Sequence, residues 1–272
     1  MNVHLDDFGV LQLMLSNETV IKQYLFISAA KYGCWKMVQI LIDDFKIYPS
    51  YKENLAFQYA CVKGHLQIVK ILLKDPKVNL SDQPHQRDFP FRMACQNGYT
   101  DIVKLLLSDP RFNPSTYDDF AIGISSSNGN TELVKLLLQH KKVSPESEQN
   151  FALRSSSEYG HTDIVNLLIQ DDRTDPSDKD NYAIKWASAN GHIEVVKLLL
   201  QDKRIDPKAE DNFSIKQAAA NGHFEVVKLL LQDSRVDICE NNTAYQLAKK
   251  NGHFDVVVLL KLYEKNKNCV VI

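Results

Sequence analysis

The chain has 272 residues, 44% of them apolar and 24% charged, with a net charge of −2. These are the proportions of a globular protein, and the near-neutral balance gives no electrostatic basis for binding nucleic acid or an anionic membrane surface. No apolar run approaches the roughly 18 residues of a transmembrane helix, and the opening MNVHLDDFGV is acidic where a secretory signal would be basic. The five cysteines (Cys34, Cys61, Cys95, Cys239 and Cys269) are odd in number and form no CxxC, which suits a reducing compartment and makes a cytoplasmic location the expectation.

In chain order, the first apolar pattern is Val10-Leu11-Gln12-Leu13-Met14-Leu15, which copies a phrase found later as Val195-Val196-Lys197-Leu198-Leu199-Leu200. It predicts an N-terminal capping helix over residues 1–19. From residue 20 to residue 263 the chain repeats itself. A glycine followed by an amphipathic helix recurs at Gly33, Gly64, Gly98, Gly129, Gly160, Gly191, Gly222 and Gly252, with successive spacings of 31, 34, 31, 31, 31, 31 and 30 residues. A fixed period of this length is the mark of a repeat architecture. The 34-residue spacing carries a three-residue insertion near Asn79–Gln86, which lengthens one loop.

Each copy reads as helix, glycine, helix, loop. The first helix is short and carries small pairs such as Ala60-Cys61, Ala187-Ser188 and Ala218-Ala219, which predict close packing on a neighbour. The glycine, usually preceded by asparagine, predicts a left-handed end to that helix. The second helix places apolar residues at steps of three and four. An acid stands in its first turn (Asp101, Glu132, Asp163, Glu194, Glu225, Asp255), where the helix dipole favours it. A lysine follows three residues later in four copies, within side-chain reach. Prolines at positions 114, 145, 176 and 207 shape the loops. No period-2 strand is evident. One such unit cannot bury its apolar face alone, but units stacked in a line can.

At the far end, Lys249, Lys250 and Lys261 replace small or apolar residues of the inner copies, as a terminal capping unit requires. The stack is therefore expected to close near Tyr263, and residues 264–272 to form a flexible tail. That tail ends Cys269-Val270-Val271-Ile272, which fits the C-a-a-X pattern for prenylation of Cys269. It would give membrane association. A frayed, inert end is the alternative.

The remaining chemistry is sparse. HExxH, GxSxG, P-loop and GxGxxG patterns are absent from the sequence. No catalytic, cofactor or metal residue is expected, and the chain does not read as an enzyme. Five of the eight histidines follow the glycines (His65, His161, His192, His223, His253). Being one unit apart, about 8–10 Å, they lie too far from each other for a metal whose ligands stand at about 2 Å. A bond to loop backbone is their expected role. Trp186, just before a small pair, is expected in the core. The lysines of the second helices alternate with acids, with no aromatic stripe beside them, so no nucleic-acid partner is expected.

The phrase A-x-x-N-G-H-x-x-V-V-K-L-L-L at Ala187–Leu200 and Ala218–Leu231 closely resembles the ankyrin repeat, in a short variant like those of amoebae and large DNA viruses. The resemblance covers roughly residues 20–262. It implies an all-α fold: an ankyrin-type helical-repeat solenoid of about eight stacked helix–turn–helix units with short finger turns. Two departures stand out. The family's Thr-Pro-Leu-His opening is replaced by Phe151-Ala152-Leu153-Arg154, Tyr182-Ala183-Ile184-Lys185 and Phe213-Ser214-Ile215-Lys216, so aromatic packing must stand in for its hydrogen bonds. The unit is about two residues short, so the fingers should be compressed. The implied function is a non-catalytic, monomeric protein–protein interaction module, a scaffold or adaptor with unidentified protein partners. Alternatives are the same scaffold tethered through Cys269, or a substrate adaptor of a ubiquitin ligase. Carried over to this chain, the family's concave-face and finger positions are Tyr32, Lys63, Gln96, Tyr117, Asp118, Glu148, Glu158, Tyr159, Lys179 and Asp180.

Overall fold

A computed structural model describes residues 19–78, 88–238 and 242–266. The expected leading helix short of Thr19, the long loop at 79–86 and the C-terminal residues from 267, Cys269 included, lie outside them. The described residues contain sixteen helices and no strand. They gather into two compact units, the first ending at Thr116 and the second starting at Tyr117.

The first unit holds three helix pairs: α1 (Thr19–Lys31) with α2 (Trp35–Asp43), α3 (Tyr51–Lys63) with α4 (Leu66–Leu72), and α5 (Phe89–Gln96) with α6 (Thr100–Leu107). First helices pack on first helices, α1 on α3 and α3 on α5; second helices do the same, α2 on α4 and α4 on α6. The second unit holds five pairs: α7 (Thr116–Ser127) and α8 (Thr131–Leu138), α9 (Ser147–Glu158) and α10 (Thr162–Ile169), α11 (Asp178–Ala189) and α12 (Ile193–Gln201), α13 (Ala209–Ala220) and α14 (Phe224–Gln232), α15 (Thr243–Asn251) and α16 (Phe254–Asn266). The same serial packing runs from α9 through α11 and α13 to α15, and from α8 through α10, α12 and α14 to α16.

The sequence period explains this order. In α12 the buried residues are Val195, Val196 and Leu199, at i, i+1 and i+4, so one stripe faces the layer of first helices. In α11 and α13 the small pairs Ala187-Ser188 and Ala218-Ala219 have no solvent exposure. Their size lets adjacent first helices approach closely. The expected i,i+3 ion pairs of the second helices appear between Glu132 and Lys135 and, longer at 3.8 Å, between Glu225 and Lys228. Both lie on the solvated face, where such pairs contribute little.

Each first helix from α3 on ends in the same way. At α11 the Gly191 amide donates to the Ser188 carbonyl at 3.2 Å and the His192 amide to Ala187 at 2.9 Å. This is the Schellman pattern, and it needs the left-handed φ of +78° that Gly191 adopts. The final helix runs to Asn266. The stack was expected to close near Tyr263, and α16 runs three residues beyond it.

The loops hold a feature the sequence reading did not contain. In α3, α7, α9, α11 and α13 the first residue is followed by three consecutive residues of left-handed backbone, none of them glycine: Lys52–Asn54, Tyr117–Asp119, Glu148–Asn150, Lys179–Asn181 and Glu210–Asn212. Four of the turns close with an amide bond back four residues, as from Asn181 to the Ser177 carbonyl at 2.8 Å. Such backbone costs about 1–2 kcal/mol per residue. The fingers are therefore single left-handed turns, more compressed than a hairpin.

Candidate interaction surface

Three sets of bonds, each repeated along the chain, fix the surface. The first is built on Asn-Gly-His. His192 Nε2 donates to the Glu158 carbonyl of the preceding repeat at 2.9 Å, His223 to Ala189 at 2.9 Å and His253 to Ala220 at 3.0 Å. The asparagine two residues earlier donates to the same carbonyl: Asn190 to Glu158, Asn221 to Ala189, Asn251 to Ala220. His161 and His65 make the same contact to Ser127 and Lys31. These histidines do bond to backbone, but across repeats and not within their own loop. Each ring also covers the glycine behind it. A Cβ on Gly191 would stand 2.6 Å from His223 Nδ1.

The second set answers the cost of the left-handed turns. The last residue of each turn is Asn or Asp, the types that best tolerate this backbone. In the four turns of the second unit its side chain reaches the next loop. Asp119 accepts from the Ser144 amide at 2.9 Å and the Ser147 hydroxyl at 2.8 Å; Asn150 accepts from the Asp175 amide at 3.0 Å; Asn181 accepts from the Asp206 amide at 2.7 Å. Asn212 instead donates to the Asp237 carbonyl at 3.1 Å. The turn is held in its strained form by the repeat that follows it.

The third set is an Asp-x-Arg clamp. Arg173 pairs with Asp171 and donates to the Val143 carbonyl; Arg204 pairs with Asp202 and donates to Thr174; Arg235 pairs with Asp233 and donates to Ile205 and Leu200. In the first unit Arg111 pairs with Asp109 and donates to the carbonyls of Leu73, Asp75 and Val78. The guanidinium beside each aspartate holds the carboxyl below the usual carboxylate range, chiefly through the side-chain hydrogen bond.

On this frame the expected binding residues fall into two rows. Tyr32, Lys63, Gln96, Glu158 and Tyr159 stand at the C-terminal ends of first helices, and all but Glu158 are exposed. Tyr117, Asp118, Glu148, Lys179 and Asp180 stand on the left-handed turns at the opposite ends, all exposed. About eight helical residues, roughly 12 Å, separate the rows. The seven of them in the second unit therefore do not converge on one spot. In the second unit, however, Tyr117, Asp118 and Glu148 line a single cleft of about 360 Å³ with Phe120, Phe151 and Arg154. Lys179 and Asp180 are not part of it.

Between the rows lies an aromatic ladder on the first helices. Tyr182 meets Trp186 at 5.6 Å, and Trp186 meets Phe213 at 5.9 Å between ring centroids. Arg154 lies over Tyr182 at 5.1 Å. Trp186 is thus half-buried within this ladder and not in the core. Tyr182 donates its hydroxyl to Glu158 at 2.7 Å; burial, then this bond, pushes the phenol up to about 12. Glu158 is consequently engaged, unlike its neighbour Tyr159, which is 57% exposed. Cys61 and Cys95 are fully buried, which pushes both thiols up and leaves them poor nucleophiles.

Family models described as ankyrin repeats match residues 57–107 and, in overlapping copies, 91–180, 122–211 and 184–270. The chain belongs to the ankyrin-repeat family. No curated protein sequence matches it. The ankyrin unit also extends beyond the matched region. The α1–α2 pair has its left-handed Gly33, φ +80°, covered by His65 in the same manner as later repeats.

The clamps and staples of this ankyrin array were visible as periodic residues. Asp171, Asp202 and Asp233 are 31 residues apart, each followed two positions on by arginine, and Asn150, Asn181 and Asn212 keep the same period. Sequence reading passed over the arginines. The clamps give a pH prediction. A carboxyl whose folded value is depressed contributes stability that is complete above its unfolded value, about 4, and is lost as pH falls through the folded value below it. Urea midpoints should fall as pH drops below about 4. The combined change of Asp171, Asp202 and Asp233 to Asn should lower the midpoint at pH 7 and flatten this decline. An equally steep decline in that variant would assign it to other groups.

Proposed function

We propose that this ankyrin array is a non-catalytic protein-interaction module, a scaffold or adaptor that receives its partners on the first helices and left-handed turns. Ankyrin repeats are in general protein–protein interaction modules, and the family is typically non-catalytic. The observation that carries the reading for this chain is the turn row. Its backbone is fixed by bonds from the following repeat, yet its side chains Tyr117, Asp118, Glu148, Lys179 and Asp180 remain in solvent. A backbone already held in place loses little entropy on binding, and tyrosines are enriched among the residues that carry interface energy. Tyr117 and Tyr159 are therefore the anchors of this reading. Affinity capture from a cell extract checks it. Changing both tyrosines to alanine should reduce the captured partners at least about tenfold. Lys197→Ala, on the opposite helix layer, should leave them in place. Capture that survives the tyrosine changes would overturn the reading.

A further inference from the structure

The cleft in the second unit can be read against the repeats that follow it. Residues 31 apart occupy one register of the first helices: Gly123, Arg154, Lys185 and Lys216. Three of the four are cations, and the structure shows what a lysine does there. Lys185 Nζ pairs with Glu210 Oε1 at 2.6 Å and lies 5.7 Å from the centre of the Phe213 ring. Its partners stand 25 and 28 residues further on. Counted from Gly123, the same steps give Glu148 and Phe151. Both line the cleft. The acid and the ring that receive a lysine between α11 and α13 are thus repeated between α7 and α9, where the lysine itself is replaced by glycine.

The cleft is shaped accordingly. Gly123 is its floor, and Phe151 leans over it, so that a Cβ at Gly123 would meet Phe151 Cδ1 at 2.8 Å. Phe120 and Tyr117 add further aromatic surface. The charges facing it are Asp118, Asp119 and Glu148 against Arg154. Asp119 is engaged by Ser144 and Ser147. Arg154 donates from Nε to the Gln149 carbonyl and from Nη2 to the Glu148 carbonyl, and its guanidinium lies over one side of the Phe151 ring, 5.9 Å from its centre. Asp118 and Glu148 are exposed at the rim. An ammonium over aromatic faces and beside a carboxylate is attracted by both, and a lysine stem covers apolar surface well.

We infer that this cleft takes the side chain of a lysine carried by a partner peptide, its ammonium on Glu148 and its stem against Phe151 and Phe120. The inference rests on the reading of the array as a protein-interaction module and adds the chemistry of one contact. The test uses the full chain, isotope-labelled for amide NMR, and the peptide acetyl-Gly-Ser-Lys-Ser-Gly-amide as probe. Shifts should centre on Gly123, Glu148 and Phe151. The same peptide with norleucine for lysine should bind at least about tenfold more weakly, and Glu148→Gln should weaken the lysine peptide to a similar degree. Gly123→Lys supplies the cation within the chain, as at Lys185, and should abolish the shifts while the fold is kept. No shift up to about 10 mM peptide, shifts spread over the acids of the second helices, or equal binding of the norleucine peptide would overturn the assignment. Should Gly123→Lys not fold, the norleucine and Glu148→Gln comparisons decide alone. Partners lost on changing Tyr117 and Tyr159 but kept by Glu148→Gln would overturn the lysine subsite and leave the broader reading standing.

Discussion

Replacing Gly191 with alanine is expected to destabilise the protein by about 2–3 kcal/mol, more than the backbone term alone. Two terms add. The left-handed φ of +78° costs an alanine about 1–2 kcal/mol. The new Cβ would also stand 2.6–2.9 Å from three atoms of the His223 ring. That ring must leave, and its hydrogen bond to the Ala189 carbonyl, 2.9 Å long, goes with it at about 1 kcal/mol. Gly252 separates the terms. It has a φ of +82° and nothing within 4 Å of its Cβ position, so Gly252→Ala should cost only the backbone term. Gly191→Asn is the complementary control, since asparagine tolerates this backbone but still carries the Cβ. Urea unfolding followed by circular dichroism measures all three. Equal losses at Gly191 and Gly252 would remove the ring contact from the account.

Arg111→Ala should cost about 2–4 kcal/mol, through a different route. The guanidinium serves the Leu73, Asp75 and Val78 carbonyls at 2.9–3.0 Å and holds Asp109 in a two-pronged pair. Both side chains of the pair are less than one-fifth exposed, so its loss leaves acceptors poorly placed for water. Lysine cannot replace the planar fork. Arg111→Lys should recover less than half of the loss. The chain contains its own comparison: at His140-Lys141-Lys142, in the same register, there is no clamp, and the Lys142 amide bonds to His140 Nδ1 at 3.3 Å instead. Lys142→Ala should accordingly be near neutral. A loss at Lys142 as large as at Arg111 would mean that the loop, and not the clamp, carries the energy.

The two expectations differ in how visible their cause was. The glycine at position 191 announced its backbone, because asparagine–glycine before an apolar helix has few other uses. What covers it was hidden, because His223 is the neighbour only once two repeats are stacked. Aspartate two residues before arginine likewise resembles ordinary surface charge until the carbonyls of the previous repeat come within reach. The binding residues follow the same division. Their places at the turns and helix ends came from the period. That Tyr117, Asp118 and Glu148 share a cleft while Lys179 and Asp180 do not goes with Gly123, whose missing side chain leaves room for Phe151 of the next repeat.

The sequence by itself determined the period, the two helices of each unit, the glycine between them and the apolar stripe each pair must bury. All of these follow from spacing along one chain. The tertiary structure decided the rest: the left-handed turns, the staples of the second unit's turns to the next loop, the histidine over five of the glycines and the half-buried place of Trp186. These depend on atoms 25 to 34 residues apart. Three non-glycine residues in left-handed backbone are unfavourable for any isolated segment. They persist because the neighbouring repeat supplies the hydrogen bonds that a local reading of the sequence does not contain.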